Sequence, residues 1–118
     1  MKKRVIRKPW GGEEEFVLNK KCTVKILTVL PGKKLSLQYH HKRKEFWKVL
    51  DGPVKVWMGN RKITAKKGDE FVIKTGQKHR LEGLANVGKV LEISYGEWLV
   101  NDIVRLEDDY KREGKTGR

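Results

Sequence analysis

Apolar and polar residues alternate in short runs along most of the chain. The segments EEFVLN, CTVKILTVL, KLSLQYH, EFWKVL, VKVWMG, RKITAK, DEFVIK, KHRLEGL and KVLEISYG are rich in β-branched and aromatic residues. Turn signals separate them at Pro31-Gly32, Asp51-Gly52-Pro53, Gly59-Asn60, Lys67-Gly68-Asp69, Thr75-Gly76 and Val87-Gly88. Many short strands between closely spaced turns predict an all-β sandwich or barrel. VWMGNRKI predicts a hairpin with a tight turn at Gly59-Asn60. One stretch departs from the pattern. LVNDIVRLEDDYKR places Asp102 at an N-cap position and Ile103, Leu106 and Tyr110 at helical spacing. It predicts a short C-terminal helix or turn closing one end of the barrel. The tail, residues 113–118, is predicted to fray.

Side chains on a strand point alternately to its two faces. Ser36, Gln38 and His40 therefore share one face, and Leu35, Leu37 and Tyr39 the other. Past a bend near His41-Lys42, Glu45, Trp47 and Val49 share a face of the next strand. Polar groups on an inward face need partners, because each buried unpaired costs on the order of 2–7 kcal/mol. If these two strands pair, Glu45 comes round to Gln38 and His40, and His79 joins them after the turn at Thr75-Gly76. Gln38, His40, Glu45 and His79 then offer four N and O donors to one divalent ion, leaving positions open for water or substrate. Zinc, manganese, cobalt, nickel and iron(II) all suit that donor set. The competing reading makes His40 a satisfied polar residue and HKRK a solvated charge run.

Composition narrows the picture. A chain of 118 residues fits a single domain, with a core expected over about residues 13–98. Only 37% of residues are hydrophobic, so the core is small. A homodimer is expected to cover the face of Leu35, Leu37 and Tyr39. No apolar run approaches membrane-span length, and no apolar region follows the basic start MKKRVIRKPWGG. Together with the single Cys22 in an apolar run, this leads to an expected cytoplasmic location and no membrane partner. The net charge of +13 raises nucleic acid as a partner. Lys and Arg are spread along the chain among Asp and Glu, without a basic helix or zinc-finger spacing, which speaks against it. A basic surface instead suits attraction of an anionic small substrate.

The spacing Gly32-x5-Gln38-x-His40-x4-Glu45-x6-Gly52 resembles the first motif of the cupins, with Gln38 where that motif has its first His. Gly68, Lys74, Gly76, His79 and Gly83 fall on the places of the second motif, Lys74 and Gly83 replacing its Pro and Asn. LSLQYHHKRKEFW further resembles the LSLQxHxxRxEHW signature of the cupin domain of type II mannose-6-phosphate isomerases, which usually follows a mannose-1-phosphate guanylyltransferase domain. RKPWG and DIVRLEDDYKR resemble that family's RPWG and DIVRxEDxYGR. Phe46 stands where the family has His, and Lys111 where it has Gly.

The resemblance implies a jelly-roll barrel, the double-stranded β-helix, as a stand-alone cupin domain without guanylyl transfer. It also implies metal-dependent interconversion of mannose 6-phosphate and fructose 6-phosphate through an enediol. Glu45 and His79 are candidate bases as well as ligands, and His41 is a third. Arg105, by its place in DIVR, and Arg43 and Arg80, by closeness to the ligands, are candidates for the phosphate. Trp47 is expected to line the pocket, whereas Trp10, Trp57 and Trp98 read as core or interface. The alternative function is a non-catalytic metal-containing cupin that binds a sugar or sugar phosphate. An oxygenase is disfavoured by Gln38, since two His are commoner there.

Overall fold

The computed structural model describes residues 3–110. A hairpin of β1 (Arg4–Lys8) and β2 (Gly11–Glu15) comes first. Then follow β3 (Cys22–Val29), β4 (Leu37–His40), β5 (Glu45–Asp51), β6 (Val54–Met58) and β7 (Arg61–Ala65). The remaining strands are β8 (Glu70–Ile73), β9 (His79–Gly83), β10 (Gly88–Tyr95) and β11 (Ile103–Glu107). Two antiparallel sheets result, in the orders β3-β10-β5-β8 and β11-β4-β9-β6-β7. Their inner faces share one apolar cluster. Val29, Trp47, Val49, Ile73 and Val90 come from the first sheet, and Val54, Val56, Ala65 and Leu81 from the second. Each of these sits at an alternate position of its strand, so the period-two pattern of the sequence is what fills the core.

Turn chemistry closes the strands as expected. β6 and β7 pair from Val54↔Ala65 to Met58↔Arg61 around Gly59-Asn60, with Gly59 at φ +58°. Gly83 is required for another reason: a Cβ there would run into the carbonyl oxygen of Leu30. That close approach also lets the Gly83 amide donate to the Lys33 carbonyl at 2.7 Å.

Several expectations change. Among the described residues, the expected C-terminal helix or turn takes the form of the 3-10 turn Val100–Asp102, and the helical spacing beyond it gives way to β11, which pairs with β4 through Ile103↔His40, Val104↔Tyr39 and Arg105↔Gln38. Ile103 and Arg105 are buried while Leu106 and Tyr110 are exposed, so the open edge of β4 overrode the helical spacing. The predicted fraying tail lies outside the described residues. β1 was not expected, and the strand read at EEFVLN ends at Glu15. Leu35 does not share the outer face of Leu37 and Tyr39. It precedes β4 and packs against the core cluster. Finally, β4 and β5 are not paired with each other; they lie in opposite sheets.

Candidate metal centre and cavity

Glu45 reaches His40 across the space between the two sheets. β4 carries Gln38 and His40 inward and ends at His40, whose carbonyl accepts the Gly76 amide at 2.6 Å. That bond fixes the turn before β9, so His79 opens β9 directly opposite Gln38. Asp102 fastens the loop between β4 and β5: its two carboxylate oxygens accept the amides of His41 and Lys42 at 3.1 and 3.0 Å. Glu45 opens β5 on the far side of this loop.

The three side chains are buried, and their ligand atoms lie within 4.8 Å of one another. Glu45 Oε1 is 3.5 Å from His40 Nε2 and 3.4 Å from His79 Nε2. The other oxygen, Oε2, is held apart: Ser94 Oγ donates to it at 3.0 Å and Arg43 Nε lies 3.4 Å away. Arg43 Nη2 is also 3.4 Å from His40 Nε2. His79 Nδ1 lies 2.9 Å from the Gln77 carbonyl, which can only accept. Nδ1 therefore carries a proton, so in the neutral ring Nε2 is the atom whose lone pair faces Glu45.

Burial pushes the Glu45 carboxyl up, but the His40 and His79 rings beside it outweigh that and hold it below the usual carboxylate range. Burial lowers His40 against the pull of Glu45, which favours the neutral imidazole a metal needs. Glu45 Oε1 and His79 Nε2 are both buried without a hydrogen-bond partner among the described residues. An ionised oxygen facing an imidazole lone pair repels it unless a cation lies between. Bonds of about 2.0–2.1 Å to a divalent ion set neighbouring ligand atoms about 3.0–3.4 Å apart. The residues thus fit a metal ion, with an N, N, O donor set suited to borderline divalent ions.

A cavity of about 470 Å³ opens onto this cluster, within the roughly 300–1,000 Å³ common for small-molecule sites. Gln38, His40, Arg43, Glu45, Glu92 and Arg105 line it. Lys25 and Trp98 form part of its wall, with Lys25 Nζ 3.6 Å and Arg43 Cζ 4.8 Å from the Trp98 ring centre. Arg43 is therefore no solvated charge, and Trp98 is a cavity wall rather than core or interface.

Two expected contacts fail. Arg80 follows His79 on β9 and so takes the opposite face. Its Nε donates to the Leu35 carbonyl at 2.7 Å, and its Nη1 and Nη2 donate to Glu107. Arg80 is fully buried and does not line the cavity. Trp47 does not line it either. It is buried in the core, donates from Nε1 to Glu92 Oε2 at 3.2 Å and meets the His79 ring edge-on at 5.7 Å. His41 is exposed against Tyr39, away from the cavity. Phe46 is on the outer face of β5 against Phe16, with ring centres 5.3 Å apart.

Glu92, Ser94 and Lys25 were missed. The first two had a signal: in KVLEISYG they fall at alternate positions with the core residue Val90, polar where an inward face should be apolar. Burial and the charge of Glu45 push the Glu92 carboxyl up to about 7.

The family described as "Mannose-6-phosphate isomerase C-terminal" matches residues 1–108. The chain belongs to this family. Similar family-bearing proteins include the xanthan biosynthesis protein XanB of Xanthomonas campestris pv. campestris, 37% identical over 114 residues, 92% of this chain and 24% of that protein. The alginate biosynthesis protein AlgA of Pseudomonas aeruginosa is 36% identical over 112 residues, 91% of this chain and 23% of that protein. A mannose-1-phosphate guanylyltransferase of Klebsiella pneumoniae is 34% identical over 111 residues, 92% and 24% of the two chains. The chain thus spans about a quarter of the length of these relatives. Among solved structures, the capsular polysaccharide assembling protein CapF of Staphylococcus aureus superposes at TM-score 0.68 with 18% identity, over 90% of this chain and 34% of that one. Oxalate decarboxylase of Bacillus subtilis also gives 0.68 with 18% identity, over 74% and 24%. These likenesses establish the cupin fold. No helix among the described residues is long and apolar enough to cross a membrane.

Proposed function

We propose that this family member interconverts mannose 6-phosphate and fructose 6-phosphate in a metal-dependent reaction. The observation that carries the proposal is the pair of buried, unbridged atoms Glu45 Oε1 and His79 Nε2 at the inner end of a cavity edged by cations. The family description and the names of the relatives support a sugar-phosphate substrate.

His40, Glu45 and His79, with Gln38 as fourth donor, would hold the ion. A divalent ion bound there would draw electrons from the substrate carbonyl, acidify the neighbouring C–H bond and stabilise the charge that develops. Lys25, Arg43 and Arg105 orient the substrate through its phosphate, Arg105 from β11 and Lys25 from β3. Glu45 and His79 act as ligands in this reading rather than as bases, because their donor atoms face each other. The His that the family signature has at position 46 would point away from the cavity here, so Phe46 is no argument against turnover.

The homodimer and single-domain organisation expected from the sequence remain part of the proposal. Val24 and Ile26, each over half exposed on the edge strand β3, support a second copy as cover. The test of function is a coupled assay of mannose 6-phosphate conversion on metal-stripped protein, with each divalent ion restored in turn. Turnover appearing only with metal is expected. Bound metal and bound sugar phosphate without turnover would make the chain a binding module instead.

A further inference from the structure

Building on the isomerase reading, we infer that Glu92 is the proton-transferring carboxylate of this cavity. It takes the proton from the carbon beside the substrate carbonyl and returns it to the carbonyl carbon.

Position carries the argument. In the β10–β5 pairing, Ser94 lies opposite Glu45 and Glu92 opposite Trp47. Ser94 and Glu92 therefore share the inward face of β10, one holding the ligand Glu45 and the other displaced from it along the strand. Diagonal neighbours on a sheet face stand about 7–8 Å apart, room for a substrate carbon next to an oxygen at the ion. Glu92 is 8% exposed and lines the cavity, so it meets what enters rather than bulk water. Trp47 Nε1 fixes Oε2 from behind, and the edge-on contact of Trp47 with His79 ties that anchor to the ligand cluster. The charged groups around Glu92 are Lys25, directly opposite on β3, together with Arg43, Glu45 and His79.

Elimination agrees. Among the described residues lining the cavity, the carboxylates are Glu45 and Glu92. Glu45 has Oε2 held by Ser94 beside Arg43, and its Oε1 faces the two histidines as a ligand atom. His41 is outside the cavity.

The step balances. Glu92 accepts the C2 proton of the open-chain aldose, the C–H pair becomes the C1–C2 π bond, and the carbonyl pair moves onto O1. Glu92 then gives the proton to C1 while the hydroxyl proton passes from O2 to O1 and C2 becomes the carbonyl. Nothing is oxidised overall, and no co-reactant is needed.

The test uses the metal-loaded full chain and the variants Glu92→Gln and Glu92→Asp. Turnover and deuterium entry at C1 and C2 in D2O are followed by NMR. The amide of Glu92→Gln still accepts from Trp47 but cannot take a proton. Its kcat is expected to fall at least about 100-fold, with deuterium entry lost and metal content and KM within about threefold of wild type. Glu92→Asp keeps a carboxylate set back by one methylene, and is expected to lose about tenfold in kcat while still admitting deuterium. It decides the matter should the amide variant fail to fold. A Glu92→Gln enzyme retaining more than a tenth of wild-type kcat, or a Glu92→Asp enzyme with unchanged kcat, overturns the inference alone. A wild-type protein that binds metal and does not turn over mannose 6-phosphate overturns the isomerase reading and the inference with it.

Discussion

Ser94 and Arg43 hold one oxygen of Glu45 and leave the other to the two histidines. Orientation of that kind usually governs metal affinity as much as the ligands do. Ser94→Ala is expected to weaken divalent-ion binding about 10–100-fold in a chelator competition; unchanged affinity would remove Ser94 from the site. Glu92 makes a second prediction at this scale. Its folded carboxyl titrates at about 7 against an ordinary 4.5. The stability it contributes is complete below about pH 4.5 and is lost as pH rises through 7, a difference of about 3 kcal/mol. His40, lowered by burial, has the opposite slope and loses stability as pH falls below about 6.5. Comparing metal-free wild type with Glu92→Gln isolates the first effect. The melting temperature of wild type should drop relative to the variant between pH 5 and pH 8, and parallel profiles would refute it.

At the scale of elements, the short strand β11 decides much. It supplies Arg105 to the cavity wall and Ile103 to the core, while Asp102 just before it grips the loop that carries Arg43. Arg80 staples β11 to the segment entering β4 by bonding Leu35 and Glu107 together. Removing this buried guanidinium takes the donor from the Leu35 and Glu107 carbonyls. Arg80→Ala is expected to lower unfolding stability by about 2–4 kcal/mol in urea titration. A stable variant that instead loses substrate affinity would return Arg80 to the phosphate site. Sequence adjacency to His79 misled here: neighbours on a strand face opposite ways, so the residue beside a ligand is the one least able to join it. The helical spacing of Ile103, Leu106 and Tyr110 misled for a related reason, since a strand edge in need of pairing outweighs a weak local preference.

For the whole molecule, charge and apolar exposure pull in opposite directions. The net charge of +13 favours separate chains, whereas Val24, Ile26 and Trp10 are left open to solvent. Burial of the apolar face is expected to win. Sedimentation velocity should report two chains per particle for wild type and one for Ile26→Lys, and a monomeric wild type at tens of micromolar would rule the dimer out.

The sequence by itself indicated most of the strands, the hairpin at Gly59-Asn60 and the candidate cluster of His40, Glu45 and His79, because alternation and turn residues act locally and the spacing of these residues is a local property of two motifs. It did not determine which surfaces meet. That Glu45 faces His40 from the opposite sheet, that Arg43 and Trp98 stack at the cavity while Arg80 leaves it, and that Glu92 and Lys25 join the site all depend on contacts between strands distant in the chain. Those contacts follow from the packing of two sheets around one small core, and no window of local sequence encodes them.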